Sequence, residues 1–184
     1  MVLSNVVSRI PLANARGSEA LILLHAVTTA ALLLLSLSPA AVAADEEEKA
    51  VLGAIDRFFA ILATRDSAAA RELLVADGRF HRIVEEAGRR VVVNGRSFGE
   101  LADQLSSGKG KLLERIWEPK VQVHGPIASV WAPYDFHIDG KFSHCGVDGF
   151  QLVKTEAGWK ISGLVYTVER TGCKKSPLGP PPGS

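Results

Sequence analysis

Trp131, Asp135, His137, His144 and Asp148 are the residues whose types and spacing could do chemistry in this chain, and an Asp139-Gly140 pair stands among them. Asp-Gly is a strong two-residue hairpin signal, and with it as the turn Ile138 pairs with Lys141. Counting back sets Asp135 opposite His144 and Trp131 opposite Asp148, all on one sheet face, with His137 joining by the period of two. On this register Asp135 orients His144 through a cross-strand hydrogen bond, and the imidazole is left to move a proton on a bound molecule. Asp148, desolvated against Trp131 and Phe150, would have a raised pKa and act as a base or a neutral donor. A histidine-carboxylate pair that merely satisfies itself inside a sheet would use the same residues. A one-residue slip in register would separate them.

Other chemistry is less well placed. His137, His144, Cys145 and Asp148 are close in sequence, but His144 and Cys145 are adjacent on a strand and face opposite sides, so no metal site is expected. Cys145 has no base on its own face to make it a nucleophile. The run SSGKGK at 106–111 lacks the first glycine of a phosphate loop and follows a helix where a strand is required, and no cofactor is expected. Cys145 and Cys173 are the two cysteines, enough for one disulfide in an oxidising compartment. Cys145 should sit opposite residue 168, so a bond to Cys173 requires the chain to fold back near Gly172. Tyr134, Phe136, Val130 and Val147 fall on the other sheet face, where a subunit interface and core packing would leave the same pattern.

These residues need elements to hold them. Val51, Ile55, Phe58 and Leu62 recur at helical spacing from Asp45 to Thr64, with Asp45 as cap and Glu46 to Glu48 in the first turn. Asp66 opens a shorter helix ending near Leu74, and Asp77-Gly78 reads as a turn. RFHRIVEEAGRRVVVNG (79–95) reads as a hairpin around residues 86–88, and Ser97 with Glu100 forms a capping box for a third helix. From Lys111 onward alternating segments at 112–124, 127–138, 142–153 and 159–168 describe an antiparallel meander. Pairing Lys154 with Trp159 brings Phe150, Leu152, Ile161 and Val165 onto the face of the candidate site. Trp131, Phe150, Ile161 and Phe58 would then line a pocket.

Residues 20–44, preceded by Arg9 and Arg16, have the apolar run and small-residue end of an export signal, so residues 1–44 are expected to be cleaved and the rest to be periplasmic or secreted. The uncleaved alternative is a membrane anchor; after cleavage no stable membrane association is expected. The whole chain has 21 basic and 20 acidic residues, and removal of Arg9, Arg16 and Glu19 leaves 19 of each. That neutrality argues against nucleic acid as a partner. Residues 172–184, rich in proline and glycine, have little to bury and are expected to be disordered.

AILATRDSAAARELLVADGRF (60–80) and DGFQLVKTEAGWKISGLVYT (148–167) resemble the first helix, Arg-Asp break, second helix and closing hairpin of the NTF2-like superfamily. The likeness covers about residues 46–171 and looks closest to the SnoaL-like, DUF4440-like and lumazine-binding-like branches. It implies an α+β cone, three N-terminal helices packed on a curved, mainly antiparallel sheet, as one domain over 45–171. It also implies a cavity for a small, largely apolar ligand between sheet and helices, and a homodimer through the sheet as a partner. Resemblance to the isomerase branch makes proton shuttling beside a carbonyl the natural reaction, although none of that branch's catalytic positions matches this chain. Three functions follow as expectations: a small-molecule binding module, an isomerase, cyclase or dehydratase using His144 with Asp135 or Asp148, or a dimerisation domain with a collapsed pocket.

Overall fold

The computed structural model describes residues 39–86 and 89–182, with side chains from 41 to 84 and from 95 to 182. The expected export signal falls mainly on residues 1–38 and the expected tip of the first hairpin on 87–88, both outside the described residues. Helix α1 spans Pro39–Thr64, α2 Ser67–Leu73 and α3 Phe98–Leu105. The strands are β1 Leu74–Glu86, β2 Arg89–Ser97, β3 Leu112–Ile116, β4 Lys120–His124, β5 Ile127–Ile138, β6 Lys141–Thr155 and β7 Gly158–Val168. No helix among the described residues is long and apolar enough to cross a membrane.

Local chemistry sets most helix ends. Asp66 caps α2, its carboxylate accepting from the Ala68 and Ala69 amides, and Arg65 takes the positive φ of 58° that reverses the chain out of α1. Ser97 and Glu100 form the expected reciprocal capping box of α3. Asp45 does not cap α1: the helix is already running from Pro39, and Asp45 pairs instead with Lys49 one turn on, at 2.7 Å.

The sheet order is β2-β1-β7-β6-β5-β3, with β4 also on β5. Every pairing is antiparallel except β1 with β7. Two expected boundaries are corrected. Asp77-Gly78 is no turn but part of β1; the glycine is there for close approach, because a Cβ would lie 2.5 Å from the Ser162 carbonyl oxygen. The segment 112–124 is two strands, broken at Trp117 to Pro119, where Glu118 has a φ of 47°.

Val51, Ile55 and Phe58 of α1 and Phe98 of α3 pack on Val130, Phe150, Leu152 and Ile161 of the sheet. The Phe150 ring meets Phe58 edge-on at 5.8 Å and Phe59 at 6.2 Å. Removing a buried aromatic from such a cluster costs roughly 3–5 kcal/mol.

The β5-β6 register departs from the expected one by a single residue. Ile138 pairs with Lys141 across Asp139 (φ 52°) and Gly140 (φ 74°), as the turn chemistry demands. His137 then pairs with Phe142 and Phe136 with His144, which leaves Ser143 bulged between them. Asp135 therefore faces Cys145, and Trp131 faces Gly149. Lys154 does pair with Trp159, but a second irregularity at Ser162 turns Leu164 inward and leaves Val165 exposed.

Cys145 is bonded to Cys173, Cα to Cα 6.0 Å. Cys145 bridges Glu169, one residue past the expected 168, and Gly172, at φ 77°, provides the reversal. Residues 172–182 contain no helix or strand, yet they stay on the domain: beyond the disulfide, Arg115 donates to the Gly179 carbonyl at 3.1 Å.

Candidate functional site

Between α1, α3 and the inner sheet face lies a cavity of about 190 Å³. Phe58 and Leu62 of α1, Leu101 of α3, and Phe80, Leu112 and Leu164 of the sheet give it an apolar wall. Arg82, Glu114, Tyr134, Phe136, His144 and Tyr166 give it a polar end. Strand alternation explains the gathering. Leu112, Glu114 and Ile116 of β3 share a face with Phe136 and Tyr134 of β5, and Asp148 of β6, Tyr166 of β7 and Arg82 of β1 form one cross-strand row.

Behind the cavity wall Asp148 is 1% exposed, and no ordinary donor reaches either of its carboxylate oxygens. The group that does reach it is the Glu114 carboxyl. Two carboxyls can bond to one another only when one is protonated, so this pair holds a shared proton. Burial pushes Asp148 up to about 7 against the opposing effect of the Glu114 hydrogen bond. Burial and the Asp148 charge push Glu114 well above the usual carboxylate range. Tyr134 donates to the Thr167 carbonyl at 2.7 Å, and a Cβ at Gly146 would run into that same carbonyl. Burial, then the neighbouring Asp148 and Glu114, keeps the Tyr134 hydroxyl protonated. Tyr166 is pushed up to about 12, chiefly by burial.

His144 points into the cavity, stacked on Phe136 at 4.9 Å and edge-on to Tyr134 at 5.8 Å. Its Nδ1 lies 3.0 Å from the Ser143 hydroxyl. Burial, and then the charges of Arg82 and Arg170, push its pKa down to about 4, so it is neutral at pH 7.

The structure thus keeps His144 and Asp148 together and separates them from Asp135, His137 and Trp131, which the Ser143 bulge leaves on the outer face. There Asp135 takes a bidentate pair from Arg115 at 2.9 and 2.6 Å, and His137 Nε2 approaches it at 3.3 Å. Trp131 is 59% exposed and lines no part of the cavity. Phe58 borders it, whereas Phe150 and Ile161 are wholly buried in the core beside it. Of the residues for which a subunit interface and core packing were both open, Tyr134, Phe136 and Val130 point inward, as core packing requires; Val147 points outward. His144 and Cys145 do face opposite ways, and no group of three or more potential metal ligands occurs among the described residues.

Glu114, Arg82, Tyr134 and Tyr166 are the site residues that sequence reasoning missed. Glu114 had a signal: Leu112, Glu114 and Ile116 alternate, which sets a carboxylate in an apolar row.

No family model matches the chain, and no curated protein does. Solved structures do. An NTF2-like superfamily protein from Salmonella enterica superposes with a TM-score of 0.54 at 16% identity, over 72% of this chain and 99% of that one. The β subunit of a proposed aromatic-ring-hydroxylating dioxygenase from Novosphingobium aromaticivorans gives 0.58 at 17% identity, over 76% and 99%. A protein of unknown function from Mycobacterium tuberculosis gives 0.59 at 14%, over 74% and 79%. With three helices among the described residues on an open, mostly antiparallel sheet, and with these neighbours, the chain has the α+β fold of the NTF2-like superfamily.

Proposed function

We propose that this chain binds a small, largely apolar molecule in the cavity between its helices and its sheet. The observation that carries this reading is the cavity itself, apolar toward α1 and α3 and polar where the Glu114-Asp148 pair and His144 converge. Its volume of about 190 Å³ lies below the roughly 300–1,000 Å³ of sites for drug-sized ligands, so the occupant is smaller than those. Protein purified natively and denatured should release a molecule seen by mass spectrometry, and a Leu101→Trp variant, which fills the cavity, should release none. The same yield from both would overturn the reading.

A second reading is favoured by one observation: Asp148, at about 7, is half protonated near neutrality. A proton-transfer enzyme of the isomerase, cyclase or dehydratase kind needs such a group. Asp148 does not line the cavity, so Glu114 would carry its proton to the ligand, with neutral His144 as acceptor; Asp135 has no part. Deuterium entering the released molecule in heavy water, at a rate that Asp148→Asn lowers at least about a hundredfold, would support catalysis over binding.

The leader and the Cys145-Cys173 bond support export to the periplasm or beyond. Trp131 and Val165, both exposed on the outer face, support a homodimer through the sheet, which light scattering would detect.

A further inference from the structure

We infer that the cavity is built for an anion: a molecule with a single carboxylate on an apolar body about one ring in size, the carboxylate seated on Arg82. This rests on the cavity reading and names the ligand's chemistry.

Among the arginines whose side chains are described, Arg82 is the unusual one. Arg115 is paired with Asp135, Arg71 with Asp103 and Arg96 with Gln104. Arg79 and Arg65 donate to backbone carbonyls, and Arg57 and Arg170 are exposed to water. Arg82 is half-buried against the cavity. Among the described residues its side chain has neither hydrogen bond nor ion pair. A guanidinium does not shed its proton, so its partial burial is a cost that an anion in the cavity would offset.

Among the described residues, no group around the cavity is paired with that guanidinium. Tyr166, its neighbour across β7, stays protonated. His144 is neutral, held so in part by the Arg82 charge. Glu114 and Asp148 are pushed up by burial, opposite to the direction an ion pair with Arg82 would impose.

The spacing suits such a ligand. Asp148, Tyr166 and Arg82 lie in register on three successive strands, which puts about 10 Å between the two ends of the row. A ring bearing a carboxylate fits along that row. Its charged end takes the guanidinium fork, its body lies against Phe80, Leu164 and Leu101, and its far edge turns toward the polar end that Glu114 and His144 line. One guanidinium matches one negative charge, which favours a carboxylate over a phosphate dianion.

The test compares benzoate with benzyl alcohol, a neutral molecule of nearly the same size, by calorimetry on the full chain. Benzoate should bind at least about tenfold more tightly. Arg82→Gln should abolish that preference by weakening benzoate more than benzyl alcohol, and Arg82→Lys should retain part of it. Leu101→Trp should remove both. Equal affinity of the two probes for the wild-type protein would overturn the anion inference and leave the cavity reading standing. Binding of neither would overturn both. Survival of the preference in Arg82→Gln, or of benzoate binding in Leu101→Trp, would also overturn the anion inference. The wild-type comparison and Leu101→Trp decide the matter even if Arg82→Gln does not fold.

Discussion

Glu114 on β3 and Asp148 on β6 reach one another past Tyr134, two carboxyls of which one must carry a proton. This relationship has a thermodynamic signature. Asp148 titrates near 7 when folded and near 3.9 when unfolded, so the folded state binds more protons between those values. The stability it contributes is fully present below about pH 4 and is lost as pH rises through about 7. Relative to Asp148→Asn, the wild-type Tm should therefore fall across that window by on the order of 5–10 °C, a few kcal/mol. Parallel Tm profiles for the two proteins would show that no such proton is held.

Arg115 and Asp135 predict the opposite sense. Burial raises the Asp135 pKa, but the bonds and charge of Arg115 outweigh it and the net shift is downward. The stability from this group is present above the unfolded carboxylate range and lost as pH falls through the lower folded value. Arg115→Met leaves the buried Asp135 carboxylate with His137 but without its guanidinium and should cost about 3 kcal/mol, whereas Arg115→Met with Asp135→Leu should cost less. Chemical denaturation of the two variants checks the order.

The Cys145-Cys173 bond spans 28 residues, a loop whose closure is worth about 3–4 kcal/mol by chain entropy. Denatured, unreduced protein should show no free thiol on labelling. Cys173→Ser should lower the Tm and make the segment from 173 onward the first site of limited proteolysis.

Export predicts a mature chain starting near Asp45, after cleavage behind Ala43 or Ala44. The cut would bring Asp45 to Glu48 to the start of α1, where the helix dipole favours acids. The Glu47 carboxylate, bonded to Trp159 Nε1 at 3.1 Å and to Lys154, would still tie that end to the β6-β7 hairpin. Intact-mass measurement of exported protein gives the cleavage point, and full-length protein in the membrane fraction would favour the anchor.

Much of this was written plainly in the residues. Val51 to Leu62, the Asp66 cap, the Ser97-Glu100 box and the Asp139-Gly140 turn are local signals, and local energetics decided them. The candidate site was less legible because it depends on register over distance. A bulge such as Ser143 leaves the hydrophobic alternation on each side intact and shifts only its phase. That shift was enough to exchange Asp135 for Tyr134 as a neighbour of the histidine's face. Glu114 was hidden by its company: it stands between the charges of Lys111 and Arg115, although the period of two already set it beside Leu112 and Ile116.

The C-terminal segment divides the outer face of the sheet unequally. Its disulfide at Cys145 and the Arg115 to Gly179 contact fasten it across the end of β5 and β6 that holds Asp135 and His137. The end with Trp131 and Val165 stays bare. A second copy approaching this face would find only the bare end available, so a two-fold axis through the sheet would have to pass near Trp131. Cutting the Cys145-Cys173 tether would enlarge the accessible footprint and let the axis move.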